Sequence, residues 1–123
     1  MSKLALIVTV EFEPGLKDEV LQALLTHRER CLKEEPGTLL YEVLVPLEEP
    51  AKLLLFELYS DSSAFSAHTA GRSIAHYRDD VRGKIRSVTS YKCSVDGASA
   101  SWDASATGLL RTTPTLASAP SRP

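Results

Sequence analysis

The sequence of 123 residues lacks the features that mark several large classes of protein. Its only two cysteines, Cys31 and Cys93, stand in no CxxC or metal-ligand pattern, which argues against a disulfide scaffold. Basic residues number 14 against 16 acidic ones, and no Lys/Arg run indicates a nucleic-acid partner. The longest apolar runs, such as Leu4–Val8, are far too short to span a bilayer, and no signal-peptide cleavage site follows Met1. We therefore expect a cytoplasmic protein without a membrane partner, and two inert, part-buried thiols.

The composition changes near Val95. Residues 1–95 carry 12 of the 14 basic and 14 of the 16 acidic side chains, whereas Ser, Ala, Thr and Pro make up 18 of the 28 residues in 96–123. Such a segment has too little apolar surface to offset its ordering entropy. We predict one domain over 1–95 and a flexible tail over 96–123, in which Gly108–Leu116 could add to a sheet edge or to a partner subunit.

Hydrophobic periodicity in the first 95 residues predicts the element order βαββαβ. Strand-like alternation and helical spacing are separated by turn and cap signals, with Pro36-Gly37 ending the first helix and Asp61 or Ser62 capping the second. The predicted elements are a strand at Leu4–Phe12, a helix from Pro14 to Glu34, strands at Thr38–Val45 and Lys52–Tyr59, a helix through Ala70, a further helical stretch to about Val81 beyond a kink or break at Gly71, and a strand at Arg86–Val95. This order is typical of a ferredoxin-like α+β fold.

The third predicted strand is apolar on both faces. Leu54 and Phe56 lie on one face, and Leu53 and Leu55 on the other. A sheet covered by helices on one side should carry polar residues on its open side, so both faces of this strand need cover. Because a small domain also buries only about two thirds of its surface, we expect a homodimer formed through the open face of the sheet. The alternation does not decide which face meets the partner.

Three histidines, His27, His68 and His76, are the only side chains that titrate near neutral pH without perturbation. His27 lies near the apolar stripe of the long helix and is predicted to be a core-edge residue with a backbone partner. Three scattered histidines without a matched carboxylate predict no metal site. His68 follows Phe65 by three and precedes Arg72 by four, so all three share a face if the helix continues. That face would line a pocket for an anionic or phenolic ligand, or would simply lie at the surface.

The third strand adds two polar residues to an apolar face. Glu57 and Tyr59 lie on the same strand face as Leu53 and Leu55. A carboxylate among leucines is either hydrogen-bonded or functional. No glycine-rich phosphate loop, GxSxG or Ser–His–Asp pattern is present. The residue pattern alone indicates a small dimeric α+β ligand binder or enzyme.

Three segments in the middle of the chain carry a family resemblance: Glu35–Tyr41, Leu55–Asp61 and Ala64–His68, followed by His76. Taken in this order, they resemble the antibiotic biosynthesis monooxygenase superfamily over roughly residues 3–95, close to its quinol-monooxygenase-like branch. The resemblance implies a dimeric α+β barrel with a pocket between sheet and helices in each subunit. It also implies oxygenation of a small phenolic or quinol-like substrate by O2 without metal, flavin, haem or any other cofactor.

The resemblance also suggests roles for individual residues. By position, His68 matches the helix histidine of the family, and we take it as the catalytic base. The substrate-binding residues predicted from the resemblance and the spacing are Tyr41, Glu57, Tyr59, Phe65, Arg72 and His76. The Asn–Trp–His arrangement of haem-degrading members is unmatched, since the sequence has no Asn and its only Trp is Trp102. The alternative function is a small-molecule isomerase or a non-catalytic ligand-binding dimer of the same fold.

Overall fold

The structure, a computed structural model, describes residues 2–97. Most of the predicted tail 96–123, including Gly108–Leu116, therefore lies outside the described residues. The described part contains four strands and three helices, with the predicted order and with bounds that differ by a few residues. They are β1 at Leu4–Phe12, α1 at Lys17–Glu34, β2 at Thr38–Leu44, β3 at Lys52–Tyr59, α2 at Ser62–Thr69, α3 at Arg72–Asp80 and β4 at Ile85–Ser94.

The four strands form one antiparallel sheet in the order β2-β3-β1-β4. β1 lies between β3 and β4, so the two strands joined by each helical connection are separated in the sheet. This arrangement confirms the predicted ferredoxin-like α+β fold. No helix among residues 2–97 is long and apolar enough to cross a membrane.

One face of the sheet packs against the helices and forms the core. The β1–β3 register pairs Leu6 with Glu57 and Val8 with Leu55, which places these side chains on that face. Leu6, Val8 and Leu55 belong to a buried hydrophobic cluster that also contains Val10, Phe12, Val20, Leu24, Tyr41, Leu53 and Tyr59. Glu57 is also buried. The helices therefore cover the face of β3 that carries Glu57 and Tyr59. The sequence pattern had not decided which face of this strand the helices cover.

The opposite face of the sheet, which we call the outer face, carries exposed apolar side chains. Ile7 pairs with Phe56 in β3 and with Tyr91 in β4, and is 43% exposed. Leu44, paired with Leu54, is 49% exposed, and Tyr91 is 74% exposed. None of the three helices covers these positions.

Two turns fix where α2 begins. The turn after α1 brings Gly37 so close to α2 that a Cβ at this position would collide with Cβ of Ala64. The Gly37 carbonyl also accepts a hydrogen bond from the Ser60 amide at 2.9 Å. Asp61 then caps α2, since its Oδ1 accepts from the Ala64 amide at 2.8 Å, as the sequence predicted. The end of α1 and the start of α2 are thus held together.

The second helical segment breaks at Gly71 rather than kinking. α2 ends at Thr69, and the Gly71 amide donates to the His68 carbonyl at 3.2 Å, which closes the helix. α3 starts at Arg72 as a separate helix. Because the Gly71 backbone between the two helices is extended, residues on either side of it do not continue a common helical face.

Candidate functional site

A cavity of about 310 Å³ lies between the helix-covered face of the sheet and helices α2 and α3. Its walls are mostly apolar and aromatic, with a few polar groups that converge on the interior. The lining residues are Leu6, Val8, Val10, Tyr41, Leu55, Glu57, Phe65, His68, Thr69, Ile74, Tyr77, Arg78, Val88 and Ser90. Cavities of roughly 300–1,000 Å³ with this character are typical of small-molecule sites.

His68 and Glu35 form a hydrogen-bonded pair at the wall of the cavity. His68, in the last turn of α2, is only 4% exposed, and its Nδ1 lies 2.8 Å from Oε1 of Glu35. The same carboxylate oxygen accepts from the Thr38 hydroxyl at 2.9 Å, so it is held by two neighbours. With Nδ1–H donating to Glu35, Nε2 of the neutral ring is left as a proton acceptor. This arrangement suits His68 to act as a base, with Glu35 orienting its ring.

Glu57 and Tyr59 form a second polar pair, on β3. The Tyr59 hydroxyl donates to Oε1 of Glu57 at 2.6 Å, and both residues are buried. Burial raises the pKa of Glu57, while the Tyr59 hydrogen bond and the neighbouring His68 act in the opposite direction. Glu57 lines the cavity, whereas Tyr59 lies behind it and positions its carboxyl group. Glu57 can therefore hold a proton more readily than an exposed glutamate.

Aromatic side chains complete the cavity wall. Tyr41 on β2 is 2% exposed, and burial together with the nearby Glu57 raises its pKa, so its hydroxyl stays a neutral donor. Phe65 in α2 makes an edge contact with Tyr59 at 5.3 Å between ring centroids. The Lys92 ammonium lies 5.2 Å from the centroid of the Phe65 ring. Tyr41 and Phe65 thus give the cavity an aromatic wall against which an apolar ring can pack.

His27 and Cys31 lie behind His68, and neither is exposed. Burial, followed by the charges of His68 and Arg30, lowers the pKa of His27 to about 4. Burial, followed by Glu35, raises the pKa of the Cys31 thiol to about 12. Cys31 is thus buried more deeply than the part-buried position that the sequence predicted, while Cys93 is partly buried. His27 is buried more deeply than the predicted core-edge position.

The structure brings together His27 and His68, two of the three histidines that the sequence analysis had treated as scattered. Cys31 Sγ lies 3.5 Å from Nε2 of His27 and 3.8 Å from Nδ1 of His68. Sequence reasoning missed this cluster because His68 is far from the other two in the chain and only helix packing joins them. The one available signal was the i, i+4 spacing of His27 and Cys31 on a predicted helix.

Two predicted substrate-binding residues, Arg72 and His76, are not brought to the cavity. They line a separate depression of about 220 Å³ with Arg30, Glu34 and Ser73. The expectation that Arg72 shares a face with Phe65 and His68 required a continuous helix, and the break at Gly71 turns Arg72 and His76 toward α1 instead. Tyr41, Glu57, Phe65 and His68 do line the cavity, and Tyr59 contacts Glu57 from behind.

The residues of the site that were not predicted include Glu35, Tyr77 and Arg78. The Glu35-Pro36-Gly37 turn was interpreted as structural, yet Glu35 is the hydrogen-bond partner of His68. Tyr77 and Arg78, on α3, line the cavity. Tyr77 also stacks on His27 with ring centroids 5.1 Å apart.

Comparison with known proteins agrees with the fold. The sequence profile of the family described as antibiotic biosynthesis monooxygenase matches residues 4–80. Among curated proteins, none matches this sequence. The fold is similar to that of a protein from Caulobacter crescentus assigned to the same family, with 16% identity, a TM-score of 0.73, and coverage of 77% of this chain and 91% of that one.

Two further solved structures show the same likeness. A protein from Nitrosomonas europaea, also assigned to the family, is 18% identical with a TM-score of 0.71, covering 76% of this chain and 89% of that one. A protein from Shewanella oneidensis is 22% identical with a TM-score of 0.69, covering 76% of this chain and 91% of that one. Similarity at this level of identity establishes the fold alone.

Proposed function

This chain belongs to the antibiotic biosynthesis monooxygenase family, and from that premise we propose that it is a cofactor-independent monooxygenase that oxidises a small phenolic or quinol-like substrate with O2. The observation that carries the proposal is the Glu35–His68 pair at the wall of an apolar, aromatic cavity. A buried base beside an apolar, aromatic cavity suits the deprotonation of a phenol. The quinol-monooxygenase-like specificity is part of this proposal.

The reaction begins with proton transfer from the phenol to Nε2 of His68, and Glu35 stabilises the imidazolium that forms. The electron-rich phenolate gives one electron to O2, and the resulting radical pair joins to form a carbon–oxygen bond and a hydroperoxide. Loss of the ring proton and cleavage of the O–O bond then leave one oxygen in a quinone product. The other oxygen departs as water with the two protons. For each substrate molecule, one O2 is consumed and one water is formed.

The remaining cavity residues bind the substrate and exclude water. The Tyr41 hydroxyl and the Glu57 carboxyl group, which is held by Tyr59, are donors for substrate oxygens. Arg78 supplies a positive charge on the cavity wall for the developing oxyanion, the role that the sequence had suggested for Arg72. Phe65 provides an apolar surface for the ring, and a dry cavity protects the radical pair from water.

The experiment that tests this function is oxygen uptake with a panel of hydroquinones and phenols, under air and under nitrogen. Turnover under air should consume one O2 per product, and ¹⁸O2 should place one labelled oxygen in the product and one in water. Under nitrogen, turnover should stop. An activity of equal rate under nitrogen would contradict oxygenation and favour the isomerase alternative, and binding without turnover would favour a ligand-binding dimer.

We also propose that the active form is a homodimer that associates through the outer face of the sheet. Support comes from the exposed apolar side chains Ile7, Leu44 and Tyr91 on that face. Several exposed apolar side chains on one sheet face of a small domain are typical of a protein–protein interface. Association there would leave the helix-covered cavity of each subunit accessible.

A further inference from the structure

Four donor groups meet where the C-terminal part of α1 packs against α2. His27 and Cys31 lie one turn apart on α1, Glu35 follows its last residue, and His68 comes from α2. His27 and Cys31 are fully buried, and His68 is 4% exposed. One ligating atom from each of His27, Cys31 and His68 can be chosen so that all three lie within 4.8 Å of one another. The proposed oxygenation uses His68 and Glu35 but assigns no role to His27 or to the thiol.

The two sulfur–nitrogen distances in this cluster are close to those of a tetrahedral metal site. Zinc–sulfur bonds of about 2.3 Å and zinc–nitrogen bonds of about 2.0–2.1 Å place a thiolate and an imidazole nitrogen roughly 3.5 Å apart. Cys31 Sγ lies 3.5 Å from Nε2 of His27 and 3.8 Å from Nδ1 of His68. The sulfur is also 3.6 Å from Nδ1 of His27, so rotation of that ring can aim either nitrogen at the shared point.

Glu35 can complete the set as a fourth ligand if its carboxylate moves toward His27, since the atoms within 4.8 Å of one another come from His27, Cys31 and His68. Its Oε1 lies 2.8 Å from Nδ1 of His68, and the two atoms would have to separate by about 0.5 Å to become neighbouring ligands of one zinc ion. The charges then balance, since the Cys31 thiolate and the Glu35 carboxylate carry two negative charges against two positive ones on the metal. A buried ion needs this compensation. Thiolate and imidazole ligands favour Zn²⁺ over Mg²⁺ or Ca²⁺.

We propose that His27, Cys31, His68 and Glu35 form a buried binding site for a divalent transition metal of the zinc type. Binding releases the Cys31 thiol proton and moves the His68 proton from Nδ1 to Nε2. The metal and the Glu35–His68 hydrogen bond therefore compete for the same nitrogen, and the metal-bound form lacks the free Nε2 acceptor. The site would thus hold a regulatory metal rather than a cofactor of the oxygenation.

Cobalt(II) is the probe, because a cobalt–thiolate bond gives a charge-transfer absorption that reports the ligand directly. The full chain is titrated with Co²⁺ without oxygen to keep the thiols reduced. We expect saturation at one cobalt per chain, a thiolate-to-cobalt band in the near ultraviolet, intense tetrahedral d–d bands, and displacement of all of these by one equivalent of Zn²⁺. Absence of the thiolate-to-cobalt band in the wild-type protein would overturn the proposal.

Matched variants locate the site. Cys31→Ser should abolish the charge-transfer band, and His27→Ala should weaken cobalt binding by at least about tenfold. Cys93→Ser and His76→Ala are the controls and should bind as the wild type does, since both residues lie away from the cluster. A band that persists in Cys31→Ser, or that disappears in Cys93→Ser, would contradict the assignment.

Substitution of the fully buried Cys31 or His27 can unfold the chain, so a further variant tests the site at a less buried position. Glu35→Gln changes a residue whose side chain is 18% exposed, keeps its size and removes only the charge. If it folds as judged by circular dichroism, its cobalt affinity should fall by about 10- to 100-fold. Unchanged affinity would overturn the four-ligand assignment. Because these measurements involve no turnover, they can fail while the oxygenation stands, and the reverse also holds.

Discussion

Glu35 accepts a hydrogen bond from His68 across the junction of α1 and α2, at 2.8 Å between Oε1 and Nδ1. The two residues are separated by a turn, two strands and most of a helix, and the close approach of Gly37 to Ala64 brings them together. This contact turns a helix histidine into an oriented base. The expected behaviour of several variants follows from it.

Glu35→Gln should lower kcat/KM for a phenolic substrate by at least about tenfold, because the imidazolium loses the carboxylate that stabilises it. Since Glu35 acts through His68, rescue by the conservative variant is the decisive measurement. kcat should fall more than KM changes in Glu35→Gln, and Glu35→Asp should restore part of the wild-type kcat. Glu34→Gln, at an exposed neighbouring position, is the control. A reduced rate that Glu35→Asp does not restore would indicate a structural role only.

His68→Asn should reduce turnover on the order of 10²-fold while leaving the melting temperature nearly unchanged. The asparagine amide can still donate to Glu35 from the position of Nδ1, but it offers no base in place of Nε2. This variant is preferable to His68→Ala, because His68 is buried and its removal would leave a cavity. His76→Ala, at an exposed position outside the cavity, should keep full activity. If His68→Asn turned over substrate at the wild-type rate, His68 would not be the catalytic base.

The fold was largely predictable from the sequence, and the site only in part. Alternation in β1 and β4 and the cap at Asp61 are local signals, and each predicted its element. Glu57 was recognised as unusual because a carboxylate stood among leucines on one strand face. Glu35 was not recognised, because its partnership with His68 depends on how two helices pack. Arg72 was misplaced for the same reason, since a single break at Gly71 redirects everything beyond it.

Because His27 is buried in its neutral form, the free energy of unfolding should decrease as the pH falls from about 7 to 4. The pKa of His27 is about 4 in the folded chain against 6.5 when unperturbed, so in this range the unfolded chain binds a proton that the folded chain excludes. The full shift corresponds to a loss on the order of 3 kcal/mol. Glu57, with a raised pKa, acts in the opposite direction, so the comparison must be with a variant. Urea unfolding of His27→Phe at pH 7 and pH 5 should show a smaller difference than that of the wild type, and an equal difference would contradict the assignment.

Gly37→Ala should destabilise the chain by about 1–3 kcal/mol, because the added methyl group collides with Cβ of Ala64. The double variant Gly37→Ala/Ala64→Gly tests the cause. Removing the Ala64 methyl group costs up to about 1 kcal/mol as a helix glycine but opens the space, so the two changes together should cost less than their sum. Urea unfolding of the four proteins gives the coupling energy. Strict additivity would show that the loss in Gly37→Ala comes from elsewhere in the turn.

Ile7→Asp should dissociate the proposed dimer without unfolding the subunit. Ile7 is 43% exposed on the outer face, so a carboxylate there remains hydrated in a single chain and becomes desolvated only on association. Leu47→Asp is the matched control, since Leu47 is 98% exposed in the loop between β2 and β3. Sedimentation velocity at micromolar concentration should show a dimer for the wild type and for Leu47→Asp, and a folded monomer for Ile7→Asp. A wild-type protein that sediments as a monomer, or an Ile7→Asp protein that stays dimeric, would exclude association through this face.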